Sequence, residues 1–475
     1  DEAQVNALGD GSVDFLDNFP PGLISALEGD PKITINRAPS TDFAELGFNS
    51  WDPTPERFAA EGCPDCPRGP TTGSMGNPWV TRGEVRAALA GLLDKQHLVE
   101  FALNGAGTPG LSLVSPLIPA FHYAPPEGDP VTFPAYADEA GRASARAAAQ
   151  QRFRDAMAAI GFTDTDGNSI LNVPDTAEAQ AFDPSGAGQD WSLRLFVRQD
   201  DREDIRAGEL IAQWFTEAGA RTELRQVSED PQLYDATYPS SSNADYDMYL
   251  WGWGPDPDPD FILSVFSCVQ INNWQDANYC NAEYDAQYRA TRTQVDAQAR
   301  AQDIRDLQDF LYHDSPYSVL WYVDTLEAYR SDRWEGFNAM PRTGGALWST
   351  YGMGPWGSRT TVGPIGAAGA TPSPAPTDSP SAPPTASPTG AEPSPSDGSS
   401  PSPTAVVSTP PESIPPTPTA GPTAAPSPTP SGTGSGGTGG GDSTTIVVGG
   451  AVVVVAALAG VWWWRRRSLD EDDRD

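Results

Sequence analysis

The sequence predicts an α/β protein whose folded body ends near residue 358. Three observations carry that prediction. "WSLRLFV", "DIRAGELIAQWFTEAG" and "RTELRQV" succeed one another as an alternating strand, an amphipathic helix closed by Gly219, and a second alternating strand, the order of a βαβ unit. Helical and strand-like patterns interleave on both sides of it, with no repeat of fixed period. From about Val362 to Thr445 the composition turns to Pro, Ser, Thr, Ala and Gly with almost no aromatics, which cannot bury enough apolar surface to offset the entropy of ordering.

In chain order, "LISALEG" is helical in pattern, and "KITINRA" and "FAELGFN" alternate as strands. "TRGEVRAALAGLLDKQHLVEFAL" puts Val85, Leu89, Leu92, Leu93 and Val99 at helical spacing, with Thr81 or Gly83 as its start, and the glycines of "NGAGTPG" end the segment. Residues 140–160, rich in Ala and Arg, predict a helix. "EYDAQYRATRTQVDAQARAQDIRDLQDFLYHD" is helical over most of its length, and "SVLWYVDTLEAYR" reads as a strand.

"DYDMYLWGWGPDPDPDF", residues 245–261, begins with strand-like alternation and runs into alternating prolines. Proline lacks a backbone N–H and resists both helix and central strand. The indoles and carboxylates are therefore read as held on a stiff turn. Trp251 and Trp253 offer flat apolar area to a ligand. Asp256, fixed by Pro255 and Pro257, loses little entropy on engaging an ammonium group, and in a water-poor cleft that contact is a strong charge-assisted hydrogen bond. The same residues would serve equally as core tryptophans and turn-capping aspartates.

The formal net charge is −35. The Pro-rich stretch carries five acids, and the last residues carry five acids and four arginines, so about −29 of the charge sits on residues 1–360. Such a surface, with no local basic patch, excludes nucleic acid and anionic lipid as partners.

Signatures of catalysis are scarce. The histidines are His97, His122 and His313, and no H-E-x-x-H, G-x-S-x-G or P-loop occurs. His97 and His313 lie on predicted helices, where solvated or capping roles are expected. "DTDGNS" places Asp164, Asp166 and Asn168 as a calcium loop would, but Ser169 stands where that loop has glycine, and an Asp-Gly turn accounts for the residues. Asp256 and Asp258 are a carboxylate pair of the kind a glycosidase uses, although alternating Asp-Pro directs neighbouring side chains apart. No cofactor and no metal is called for.

Four cysteines occur, Cys63 and Cys66 in "CPDC" and Cys268 and Cys280 twelve residues apart. An even count on an external protein favours disulfides, with local pairing Cys63–Cys66 and Cys268–Cys280. Zinc would need four converging ligands, and the loop-like flanks of "CPDC" do not suit a redox motif. Externality itself is read from the end of the chain. Residues 359–445 form a disordered stalk, residues 446–464 are an uncharged run long enough for one transmembrane helix, and Trp462, Trp463, Trp464 and then Arg465, Arg466, Arg467 follow as interfacial and cytoplasmic anchors. The expected location is the cell membrane, single-pass, with the body extracellular and residues 465–475 cytoplasmic. "DEAQVNALGDGSVDF" has neither the charged nor the apolar region of a signal peptide, so a signal is expected to have been removed or lost.

With these residues in hand, the body resembles the extracellular solute-binding proteins of ABC transporters, peptide/nickel type, family 5. "ALGDGSVDF", "ELGFN" with "VRAALAGLLDKQHLVEFALNGAGTP", "GFTDTDGN", "DYDMYLWGWGPDPDPDFILSVFSC" with "YCNAEYDAQY", and "LYHDSPYSVLWYVDTLEAYR" are similar to that family's segments. The resemblance implies a periplasmic-binding-protein-like two-lobe α/β fold that closes on its ligand as a trap. It also implies that the chain lacks the family's N-terminal part, leaving residues 1–45 and 317–358 as pieces of a partial first lobe and residues 46–316 as a complete second lobe. Peptide-binding members use a W-x-[AG]-D stretch whose aspartate pairs with the peptide α-amino group. Trp253, Gly254, Pro255 and Asp256 fall on it with Pro255 as a departure, which makes Asp256 the expected amine partner, Asp258 its reserve, and Trp251 and Trp253 the walls. The resulting expectation is a non-enzymatic importer component that captures a peptide or peptide-like small solute and hands it to ABC permease subunits. The alternatives are a membrane-tethered ligand sensor, which the eleven-residue tail disfavours, and a surface hydrolase of sugar polymers.

Overall fold

In a computed structural model of the chain, the structure describes residues 2–51, 76–228, 245–271, 273–348 and 361–366. The described residues all fall within one compact unit, residues 1–381. Cys63, Cys66, nearly all of the expected stalk and the apolar run at 446–464 lie outside the described residues. Among the described residues no helix is long and apolar enough to cross a membrane.

Strands β1 (Phe15–Leu16), β2 (Ile33–Phe48), β3 (Gly107–Pro109), β4 (Ser192–Arg198), β5 (Arg221–Val227), β6 (Met248–Trp253) and β7 (Tyr317–Arg330) form one sheet in the order β1-β7-β2-β6-β4-β5, with β3 also on β7. β4 lies parallel to β5 and to β6, and the other pairings in this sheet are antiparallel. A small ladder joins β8 (Trp334–Glu335) to β9 (Gly363–Pro364). The helices are α1 (Glu2–Asp10), α2 (Ile24–Leu27), α3 (Gly83–Ala90), α4 (Lys95–Ala102), α5 (Glu139–Ala159), α6 (Ala177–Phe182), α7 (Arg202–Ala218), α8 (Asp260–Ser264), α9 (Ala282–Thr293) and α10 (Ala297–Asp314).

The predicted βαβ unit is β4-α7-β5. Asp201 caps α7 by accepting the Asp204 N–H at 2.9 Å. Gly219 ends the helix at φ 116°, a left-handed conformation that a side chain would strain. The period-2 pattern of the central strands then builds two cores. On one face Leu46, Phe48, Leu193, Leu195, Met248 and Leu250 pack against α3, α5 and α7. On the other, Phe43, Phe196, Tyr249, Tyr317 and Val319 meet α9 and α10. A third core gathers Val5, Leu8, Leu16 and Ile24 around Leu326 and Ala328, at the far end of β7.

Several expected elements change form. "KITINRA" and "FAELGFN" are one strand, β2, whose pairing with β7 shifts register between Ala44 and Glu45 and is interrupted between Pro39 and Phe43. Proline offers no N–H to a ladder, so pairing is given up cheaply there. The single predicted helix over 81–103 breaks into α3 and α4, because Asp94 accepts the His97 N–H and starts a new helix. Likewise α9 and α10 separate at Asp296, which caps α10. Trp251 and Trp253 belong to β6 rather than to a turn. Their backbones pair with Glu45 and Phe43, and the stiff segment starts only at Gly254. In "DTDGNS" the Asp164 carboxylate accepts Gly167 N–H at 2.7 Å and Ser169 N–H at 3.0 Å, which is the Asp-Gly turn. Cys268 and Cys280 are joined by a disulfide.

Two polar anchors fasten long segments to this frame. Glu327 of β7, 1% exposed, accepts Leu347 N–H at 2.6 Å, Trp348 N–H at 2.7 Å and Asn36 Nδ2 at 2.9 Å. Replacing Glu327 with Ala strands buried donors and is expected to destabilise the protein by about 3 kcal/mol, with Glu327→Gln losing roughly half as much. Urea midpoints of the two variants measure this, and equal midpoints to wild type would refute the anchor. His313 of α10 joins Asp129 at 2.9 Å through Nε2 and the Asp309 carbonyl at 2.9 Å through Nδ1. Burial alone would depress the imidazole pKa, but the Asp309 carbonyl and the Asp129 and Asp309 carboxylates outweigh it and hold it above 6.5. The raised folded value means that this contribution is complete below 6.5 and fades as pH rises through the folded pKa. Wild type should therefore lose a component of thermal stability on going from pH 6 to pH 8 that His313→Gln does not show.

Candidate functional site

The residues that the sequence singles out converge only in part. A cleft of about 350 Å³ opens where β4 and β6 end, beside the irregular stretch of β2. Open α/β sheets bind ligands outside the carboxyl ends of their parallel strands, and this cleft occupies that position. Its far wall comes from residues 18–21, in the link between β1 and α2. Its near wall is Phe43 and Ala44 of β2, Trp251 and Gly252 of β6 and Arg198 of β4. Trp321, Val323 and Asp324 of β7 close the back.

Trp251 lies at the centre of this wall. It pairs with Glu45 across β2, and the Arg198 guanidinium covers its ring at 5.1 Å from the centroid. Arg198 in turn donates to Asp201 at 2.5 Å and to Asp204 at 2.9 Å. Among the described residues the one cation lining the cleft is thus engaged by two carboxylates, while Glu203 and Asp324 add two more acids. Burial and the Asp201 charge push the Asp204 carboxyl up to about 7 against the pull of Arg198. Burial also raises the pKa of Asp324, whose carboxylate finds no hydrogen-bond or ion-pair partner among the described residues and is relieved only by the charge of Arg37. The cleft is therefore aromatic and anionic, a combination that favours cationic ligands and repels anionic ones.

The turn after β6 flanks the cleft rather than lining it. Gly254 abuts Asp42, whose carboxyl pKa burial raises. Trp253 is half-buried, edge-on to Phe261 at 6.1 Å, and its indole N–H is buried without a hydrogen bond. Asp256 is exposed. Asp258 takes a bidentate contact from Arg300 at 2.8 and 3.0 Å, which holds its carboxyl below the usual range. Sequence reasoning passed over Arg198, Asp204, Asp324 and Glu45. For Arg198 and Asp204 a signal existed, the polar end of an alternating strand followed by a capped helix. Asp324 sits inside a strand pattern and becomes a site residue only through the pairing of β2 with β7, and Glu45 sits inside one opposite Trp251.

The comparisons with known proteins agree with this architecture. The oligopeptide-binding protein AppA of Bacillus subtilis, solved with a nonapeptide, is 19% identical with a TM-score of 0.51 over 72% of this chain and 56% of its own. The periplasmic murein tripeptide-binding protein MppA in its unliganded open form is 14% identical with a TM-score of 0.50, over 76% of this chain and 56% of its own. NikA of Brucella suis, solved with Fe(III)-EDTA, is 15% identical with a TM-score of 0.50, over 70% of this chain and 56% of its own. The chain thus spans little more than half the length of these proteins, and at such identities they establish the α/β periplasmic-binding-protein-like fold. No curated protein matches the chain. The profile of the bacterial extracellular solute-binding proteins, family 5, matches residues 1–273, more than half of the sequence, and the chain belongs to that family.

Proposed function

We propose that this protein is the substrate-binding component of an ABC importer and captures a small peptide or peptide-like solute that carries positive charge. The observation that carries this reading is the aromatic cleft in which Arg198, the one lining cation among the described residues, is engaged by two carboxylates while further acids remain. Among proteins of similar fold, AppA was solved with a nonapeptide, NikA with Fe(III)-EDTA, and MppA is a murein tripeptide-binding protein. An anionic chelate such as Fe(III)-EDTA is disfavoured here by the acids of the cleft. A volume of about 350 Å³ suits a ligand of dipeptide size.

In this reading Trp251 walls the ligand and Trp253 stiffens the strand end. Asp256, on the turn beside the cleft, receives the α-amino group, and Asp258 is held by Arg300 to fix the turn. Residues 1–45 and 317–358 form one lobe and residues 46–316 the other, which the separate core around Leu326 and Ala328 supports. The apolar run at 446–464 tethers the body to the membrane with residues 465–475 inside. A tether of this kind raises the effective concentration of the trap near its permease.

Calorimetry of the full chain with the dipeptides Lys-Ala, Ala-Ala and Ala-Glu, and with Fe(III)-EDTA, tests the reading. Lys-Ala is expected to bind at least about tenfold more tightly than Ala-Glu, and Fe(III)-EDTA not at all. Asp256→Asn should weaken every dipeptide alike, and Trp251→Ala should weaken all of them by about 1–2 kcal/mol. Binding of the iron chelate in preference to all three dipeptides would overturn the assignment.

A further inference from the structure

Glu45 stands in the middle of β2, 0% exposed, and neither of its carboxylate oxygens has a hydrogen-bond partner. Such a group is rare, because an unpaired buried carboxylate is far costlier than a buried apolar side chain. Its place in the sheet gives it a meaning. Glu45 is directly opposite Trp251 on β6, so their side chains share a face. Phe43, two residues earlier on β2, shares that face as well. Phe43 and Trp251 both line the cleft. Glu45 therefore lies immediately behind the aromatic wall of the ligand site.

Other groups surround it. Tyr249 packs over Gly47, where an added Cβ would stand 2.5 Å from the Tyr249 hydroxyl, and that hydroxyl too is buried without a hydrogen bond. Asp276, from the segment before α9, accepts from the Tyr317 hydroxyl, and its charge acts on Glu45. From the cleft side the charges of Asp204 and Arg198 reach Glu45, the first opposing its ionisation and the second favouring it. We infer that Glu45 is the concealed anchor for the cationic end of the ligand, an ammonium or guanidinium group that passes the Phe43–Trp251 wall and takes the place of the carboxyl proton. The inference rests on the solute-binding reading of the cleft and names the ligand class within it.

The exchange balances simply. In the free protein, burial above all, then the charges of Asp276 and Asp204, keeps the Glu45 carboxyl protonated well above the ordinary range. When the cation docks, the O–H bond breaks, its electron pair stays on the carboxylate, and the proton leaves to solvent. The cation forms a charge-assisted hydrogen bond to the oxygen so exposed. Net charge in the site is unchanged, since one cation replaces one proton.

The test is isothermal calorimetry of the full chain with Lys-Ala in buffers of different ionisation enthalpy, beside Ala-Ala. Wild type is expected to release close to one proton for each Lys-Ala bound and none for Ala-Ala. Its affinity for Lys-Ala should climb by up to about tenfold per pH unit while Glu45 is protonated in the free protein. Glu45→Gln should abolish the release and weaken Lys-Ala at least about tenfold while leaving Ala-Ala unchanged. Should that variant fold poorly, the wild-type proton count alone decides. Binding of Lys-Ala without proton release would overturn the role of Glu45 and leave the peptide reading standing. Release that persists in Glu45→Gln would overturn it too, assigning the proton to Asp276 or Asp204, both of which burial pushes up to about 7. No binding of either dipeptide would overturn both readings together.

Discussion

The antiparallel pairing of β2 with β7 is the constraint on which the rest of the structure depends. Both strands are long, Ile33–Phe48 and Tyr317–Arg330, and they run from the core around Leu326 and Ala328 to the two-faced core of the main sheet. Their register fixes which side chains meet each face. A slip of one residue would exchange Leu46 with Glu45 and turn an acid into the core beneath α3 and α7. The pairing is interrupted between Pro39 and Phe43, and this is where the cleft opens. The break frees Asp42 from the β7 ladder just beyond the Pro39–Asp324 pair and brings Phe43 back into register beside Trp253. One local irregularity thus shapes both the wall and the charge of the site.

Net charge alone says little about a ligand, since acids spread over a surface serve solubility as readily as recognition. The cleft differs from the bulk surface in how its charges are arranged. Arg198 is fixed between Asp201 and Asp204 and flattened on Trp251, so it has little left to offer an incoming anion. Asp324 lacks such a partner among the described residues. Desolvation raises the proton affinity of Asp204 and Asp324, and the same physics raises their affinity for any other cation that can replace the proton. Carboxyls that bind protons more tightly here than they would in water are prepared for an amine.

Much of this was legible in the residues, and the exceptions share a cause. The β4-α7-β5 unit was readable because Gly219, Asp201 and the alternation of "LRLFV" act within a few residues of one another. The family segments were readable for the same local reason. Trp251 and Trp253 looked like turn residues because prolines follow them closely, yet pairing with Phe43 and Glu45, some two hundred residues away in sequence, keeps them extended. Asp258 looked free because its partner, Arg300, lies on a separate helix. Glu45 looked like the polar position of an ordinary half-buried strand. Only the packing of α3, α5 and α7 on one side of the sheet and of α9 and α10 on the other shows that both faces of β2 are covered.

That coverage makes Glu45 informative. Leu, Val or Ile would suit a position between Trp251 and Val319 on neighbouring strands, and would remove the penalty of an unsatisfied carboxyl. Local rules of packing, polar satisfaction and propensity agree along the rest of β2 from Leu46 to Phe48, and disagree at this residue. Proteins tolerate such disagreement chiefly where function requires it. Here the residues that conceal the acid, Phe43 and Trp251, are the residues that face the ligand. A bound cation would offset the penalty that the empty protein carries. The destabilising element of the free fold is then the stabilising element of the complex, and affinity, selectivity for positive charge and sensitivity to pH follow from one side chain.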